Sequence, residues 1–183
     1  MLDLVNPWGR PVRQSLGSQI VAEVASEPWQ LRGYRELRRA IFAEEQGLFE
    51  GSDVDAYDEH ALPIVAMSQI HGMPDRVVGV VRIYSTGLGT WYGGRLGVRR
   101  EFRMFGAVGT ALITAAVSTA HFLGCREFLA TVQQPNVRYF ERHHFVTREP
   151  LTLCGRPHQL MEAALSLYPA RAVGSRFVQA RGL

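Results

Sequence analysis

The 183-residue chain reads as one α+β domain, a mixed central sheet of about seven strands flanked by helices. Three observations predict it. The apolar pattern switches between a period of two and a helical period in the order β-α-βββ-α-β-α-ββ. The three central strand-like runs are joined by short glycine-bearing turns, which favours an antiparallel meander. A composition of 46% hydrophobic and 20% charged residues is that of a globular chain and excludes wholesale disorder or a coiled coil. The domain spans 18–168, between a loose N-terminal arm at 1–17 carrying Pro7, Gly9, Pro11 and Gly17 and a C-terminal tail at 169–183.

The run at 19–26 is strand-like. Pro28, followed by Leu31, Tyr34, Leu37, Ile41 and Phe42 at helical spacing, predicts a helix with proline in its first turn. An acidic loop fills 47–60. Strands follow at 62–70, 76–84 and 91–98, parted by Gly72-Met73-Pro74-Asp75 and Thr86-Gly87-Leu88-Gly89. A glycine-bearing turn at 103–109 opens a helix to about Leu123. Gly109, Thr110, Thr114, Ser118, Thr119 and His121 interrupt that apolar stretch, so it falls short of the roughly 20 residues of a membrane span and reads as a buried helix. Next come a strand at 127–132, a helix from Asn136 to about His144, and strand-like runs at 145–153 and 158–167. The last also suits a helix, because Met161, Glu162, Ala163, Ala164 and Leu165 are good helix formers.

All 20 basic residues are arginine, so a lysine Schiff base and a P-loop are both excluded. Cys125 and Cys154 lack metal-ligand spacing and read as core fillers. His143 and His144 diverge as neighbours, and no metal is expected. His121 and Met104 read as helix residues touching the core. The N-terminus lacks the pattern of a secretory signal, so the expected location is cytoplasmic. Arginines without interleaved exposed aromatics give no reason to expect nucleic acid.

The most specific stretch runs from Val98 through Arg99, Arg100, Arg103, Met104, Phe105, Gly106, Ala107 and Val108 to Gly109, where a strand ends and the long helix begins. First-turn amides of a helix lack internal partners and the dipole adds positive character, so a phosphate finds donors and a favourable field there. Arg99, Arg100 and Arg103 add cations, and the two glycines let backbone approach the anion. This R-x-x-G-x-V-G spacing resembles the acetyl-CoA pyrophosphate loop of the GNAT superfamily of N-acetyltransferases, with Val108 departing from the usual Gly or Ala and Gly109 following it. The stretch from Asn136 to Phe145 is similar to that family's helix over the thiol end of CoA, although Phe140 stands where a proton-donating tyrosine is usual and Tyr139 precedes it. The resemblance covers about 19–165 and implies a single GNAT-type domain. It also implies acetyl-CoA as acyl donor, pantetheine along Leu96, Gly97 and Val98, and cofactor contacts that include Thr110, Asn136 and Phe140.

The acidic loop follows Arg38, Phe42, Glu44, Glu45 and Gln46 and carries Asp53, Asp55, Asp58, Glu59 and His60. A carboxylate with a raised pKa in a cleft can take a proton from an amine. Glu45, Asp55 and Asp58 are the candidates, with Glu44 and His60 behind them, and Tyr139 substitutes for the missing tyrosine only if the helix is rotated. The alternative is structural pairing with Arg38, Arg39 and Arg82. The order Arg38, Phe42, Asp55, Asp58, Arg82, Arg95 resembles acyl-homoserine-lactone synthases, but Leu48 and Tyr92 replace their usual tryptophan and glutamate. The stretch from Ile41 to Gly47 and the arginine-rich turn are similar to bacterial N-acetyltransferases associated with nitrogen starvation. Arg38, Phe42, Arg82, Tyr84 and Tyr92 are the expected acceptor contacts, with Trp91 beside them. The expectation is an N-acetyltransferase acting on a small primary amine by direct attack in a ternary complex. The alternatives are a transferase of longer acyl groups from CoA or acyl carrier protein, and a CoA-binding sensor without turnover. No membrane partner is expected, and a homodimer stays open.

Overall fold

The structure, a computed structural model, describes residues 19–47, 49–70, 72–104, 106–172 and 177–179, the last three as backbone. The expectations for the arm at 1–17, for most of the tail, for Leu48 and for Phe105 lie outside the described residues.

The sheet is mixed and has eight strands, in spatial order β6-β7-β5-β4-β3-β2-β1-β8. They are β1 Ile20–Val24, β2 Leu62–Ile70, β3 Met73–Gly87, β4 Thr90–Val98, β5 Glu127–Gln133, β6 Phe145–Leu153, β7 Arg156–Ala163 and β8 Phe177–Gln179. Seven answer to the sequence pattern; the short eighth lies in the segment read as a tail and pairs with β1. Every pairing is antiparallel except β4 with β5. That junction needs a crossover, and α2 (Ala107–Phe122) supplies it.

Helix α1 (Pro28–Arg38) starts at Glu27, whose carboxylate caps the helix while the Gln30 side chain accepts the Glu27 amide at 3.0 Å. It continues as π-helical turns over Arg39–Glu45, closed by the Gln46 amide on the Ile41 carbonyl at 3.0 Å. The wider coil buries both Ile41 and Phe42. A short α3 (Val137–Arg142) follows β5. Each face of the sheet has its own core: α1 packs with Val65, Met67 and Val80, and α2 with Ile64, Val78, Val81 and Phe128.

Two boundary expectations are corrected. Pro74 and Asp75 lie within β3, because Gly72, at a φ of +77°, already turns the chain. The run read as strand at 158–167 is strand, over Arg156–Ala163, and ends in a 3-10 turn at Leu165–Leu167; its helical alternative fails because β7 is paired on both sides, with β5 and β6. Cys125 is buried, and burial raises its thiol pKa to about 11. Cys154 is exposed at the β6–β7 turn rather than in the core, and Met104, 86% exposed, touches no core.

Candidate active site

Strands β4 and β5 pair only over Thr90–Gly93 and Glu127–Ala130, although β4 runs on to Val98 and β5 to Gln133. Beyond Gly93 they part as a fork. In β4, Gly94 and Gly97 pair with Arg82 and Val80, so Arg95 and Leu96 together oppose Val81 as a β-bulge, with Arg95 at a φ of +55°. A bulge bends and twists its strand, and here it coincides with the loss of β4–β5 pairing. A cavity of about 460 Å³ passes through the fork, lined by Phe42, Tyr84, Tyr92 and Arg95 toward α1 and by Ile113, Val117 and Phe128 toward α2. Leu96, Asn136 and Phe140 also line it.

At the open end of β4 the backbone reverses through a 3-10 turn at Arg100–Phe102 into α2. Gly106 precedes the helix at a φ of +64°, a conformation glycine adopts without strain. The Thr110 amide donates to the Gly106 carbonyl at 2.9 Å, so the first-turn amides of Ala107 and Val108 precede this helical bond. The Val108 side chain is core, and the Thr110 hydroxyl returns to the Gly106 carbonyl at 3.0 Å. A side chain on Gly109 would place its Cβ 2.3 Å from the Tyr139 hydroxyl oxygen, so that glycine serves close packing with α3. A bare helix start beside an unpaired strand edge suits a pyrophosphate and a pantetheine arm.

Two arginines of this turn, Arg103 and Arg99, are engaged. Arg103 donates through Nε to the Val98 carbonyl at 2.8 Å and through both terminal nitrogens to Glu45, at 2.5 and 2.7 Å. That pairing holds the Glu45 carboxyl below its ordinary value, which weakens it as a base. Arg99 reaches the Val77 carbonyl at 3.4 Å.

On the α1 face, three arginines and three aspartates form one closed network. Arg38 donates to Asp53 at 2.7 Å and to both oxygens of Asp58. Arg82 grips Asp55 with two bonds, at 2.7 and 2.6 Å, and lies 2.7 Å from Asp58. Arg95 donates to Asp53 at 3.1 Å and to Asp55 at 3.1 Å. Burial pushes the Asp55 and Asp58 carboxyls upward, but hydrogen bonds from Arg82 to the first and from Arg38 to the second outweigh it, and both end below the ordinary range. Proton abstraction needs the opposite shift, so the structure assigns these carboxylates to the arginines.

Tyr139 is likewise corrected. Its hydroxyl donates to the Gly106 carbonyl at 3.1 Å and it does not line the cavity, whereas Phe140 does. Tyr84 and Tyr92, opposite each other across β3 and β4, stack at 5.7 Å between ring centroids. Tyr57, half exposed, stacks on Tyr84 at 4.4 Å. Trp91 packs on the core instead. Sequence reasoning missed Tyr57, the buried Asp53, Gln133 and His158 as site residues; each alternates onto a face that only strand pairing or a loop turn reveals. No group of three or more His, Cys, Asp or Glu able to hold a metal occurs among the described residues.

The sequence pattern of the Acetyltransferase (GNAT) family matches residues 18–145. No curated protein sequence matches the chain. Solved structures share the fold, among them the three that follow. A Lactobacillus plantarum protein described as a candidate N-acetyltransferase superposes at a TM-score of 0.67 and 21% identity, covering 80% of this chain and 97% of its own. An acyl-CoA N-acyltransferase from Pseudomonas aeruginosa gives 0.62 and 21%, covering 79% and 98%. BjaI, a CoA-dependent acyl-homoserine lactone synthase solved with SAM and isopentyl-CoA, gives 0.56 and 22%, covering 72% and 74%. With its sequence match extending over the forked sheet and the turn into α2, the chain belongs to the Acetyltransferase (GNAT) family.

Proposed function

We propose that the protein is a cytoplasmic N-acetyltransferase that moves an acetyl group from acetyl-CoA to a small primary amine by direct attack in a ternary complex. The observation that carries this reading is the fork: an unpaired β4 edge ends at a helix start, and a cavity joins both faces of the sheet. In this reading the edge at Leu96, Gly97 and Val98 pairs with pantetheine. The amides after Gly106 and the side chains of Arg99, Arg100 and Arg103 meet the phosphates. Phe140 covers the thiol end without donating a proton. The amine enters on the α1 face against Tyr84 and Tyr92, where Asp55, the one acidic residue among the described residues lining the cavity, is already occupied by Arg82 and Arg95.

The test is amine-dependent release of free CoA from acetyl-CoA, followed with a thiol reagent over a panel of aliphatic amines, aromatic amines and unblocked peptides. Release that requires an amine and yields the acetylated product supports the reading; thiol release independent of every amine contradicts it.

The cavity favours one second reading. Ile113, Ala116, Val117 and Phe128 carry its lining past the fork into the α2 core, an apolar path that suits an acyl chain longer than acetyl. A chain-length series of acyl-CoA donors, with acyl carrier protein alongside, separates the two. Highest kcat/KM with acetyl-CoA favours the first reading and a maximum at longer chains the second.

A further inference from the structure

Proton removal is the part of the proposed chemistry for which the sequence-derived candidates are already committed elsewhere. Asp55 and Asp58 are held by arginines, and Glu45 is paired with Arg103. Of the histidines among the described residues, His158 alone lines the cavity. His121 is bound through Nδ1 to the Tyr168 carbonyl at 2.6 Å, and His143 packs on the Tyr139 ring.

His158 sits on β7 opposite Gln133 of β5 and is 8% exposed. Its Nδ1 lies 2.8 Å from the Arg156 carbonyl. A carbonyl only accepts, so that contact places the hydrogen on Nδ1 and leaves the Nε2 lone pair bare in the neutral ring. No hydrogen bond engages Nε2 among the described residues. Side chains of Val132 and Ala130 enter the α2 core, so the alternating positions, Gln133 and its partner His158, face α1. The Gln133 amide confirms the face, donating to Gln46 at the end of the π-helical turns at 3.3 Å.

We propose that His158 is the proton acceptor for acyl transfer in this site, an inference that rests on the acyltransferase reading. Gln133 lies three residues beyond Ala130, the last β5 residue paired with β4, about 10 Å along the strand, so the proton travels along a file of cavity waters rather than by direct contact. Neutral Nε2 takes one proton from the acceptor ammonium through those waters. The freed nitrogen lone pair forms the C–N bond to the thioester carbonyl carbon, and the adduct releases its second N–H proton to solvent. The C–S bond breaks with its electron pair on sulfur, and the imidazolium returns its proton through the waters to the thiolate. The products are an amide, a thiol and one proton in solvent, with His158 neutral again.

The experiment uses full-length wild type, His158→Ala and His158→Gln. Turnover is measured with acetyl-CoA and the best acceptor among tyramine, spermidine and an unblocked dipeptide, and acetyl-CoA affinity by calorimetry. The expected result is a kcat about 100-fold lower or more in both variants, an acetyl-CoA Kd within about twofold of wild type, and partial recovery of His158→Ala, but not of His158→Gln, by added imidazole. Nitrogen-15 spectra of the wild-type imidazole are expected to show the Nδ1–H tautomer. Full turnover in either variant, or losses of kcat and acetyl-CoA affinity in equal measure without imidazole rescue, overturns the inference and leaves the acyltransferase reading standing. A wild type that binds no acetyl-CoA overturns both.

Discussion

The hydroxyl of Tyr139 donates to the carbonyl of Gly106 at 3.1 Å, joining α3 to the residue that starts α2. The bond makes Tyr139 a brace for the turn that leads off the fork. Burial raises its phenol pKa, which further removes it from proton transfer at neutral pH. Tyr139→Phe is expected to cost about 1 kcal/mol of stability, read from denaturant midpoints, with kcat nearly unchanged. A general acid would instead lose about 100-fold in kcat.

The same contact makes Gly109 intolerant of a side chain. Gly109→Ala brings its Cβ to 2.3 Å from the Tyr139 oxygen and is expected to destabilise by about 1–3 kcal/mol. Adding Tyr139→Ala to Gly109→Ala is expected to recover part of the loss; simple additivity in a double-mutant cycle contradicts the brace.

Glu45 competes for Arg103. If Arg103 meets a phosphate of CoA, the Glu45 carboxylate occupies the same two guanidinium nitrogens beforehand. An exposed pair of this kind is worth about 0.2–1 kcal/mol, so Glu45→Gln is expected to tighten CoA binding by about 1.4- to 5-fold in calorimetry, with kcat retained. A large fall in kcat would restore Glu45 as a base.

Acid stability reports the arginine–aspartate network. The folded-state carboxyl of Asp58 lies below its unfolded value, so the stability it contributes is complete above about pH 4 and is lost as pH falls through the folded value. Asp58→Asn is expected to flatten that acid limb in a pH series of unfolding free energies. Asp53, 3% exposed and bound to Arg38, is the most buried carboxylate of the network. Asp53→Asn is expected to cost about 1–3 kcal/mol, because Arg38 loses one of its two carboxylate partners and keeps Asp58. Unchanged stability would mean that water replaces the carboxylate.

Element order was legible because periodicity and turn residues are local properties. Pro28 and the spacing from Leu31 to Phe42 marked α1, and the glycines after Arg103 marked the start of α2. The chemistry of the site was less legible because it depends on pairing. Pairing with Arg38 and Arg82 is one of two readings of Asp55 and Asp58, but nothing local decides between them or reveals that Arg95 joins from a third element. Nor does the neighbourhood of His158 announce the cavity, since its place there follows from its register with Gln133. Pro74 misleads because Gly72 already turns the chain, whereas the run through Met161 reads as strand and only its helical alternative yields to the strand partners.

The central claim is that the fork and the turn after it hold acetyl-CoA. The most direct measurement is calorimetric titration of the protein with acetyl-CoA, CoA and dephospho-CoA at two salt concentrations. The account predicts one site per chain, with affinity for acetyl-CoA and CoA that weakens as salt screens the arginines around Gly106. Absence of binding heat with all three at both salts, confirmed by an unchanged melting temperature, would contradict it.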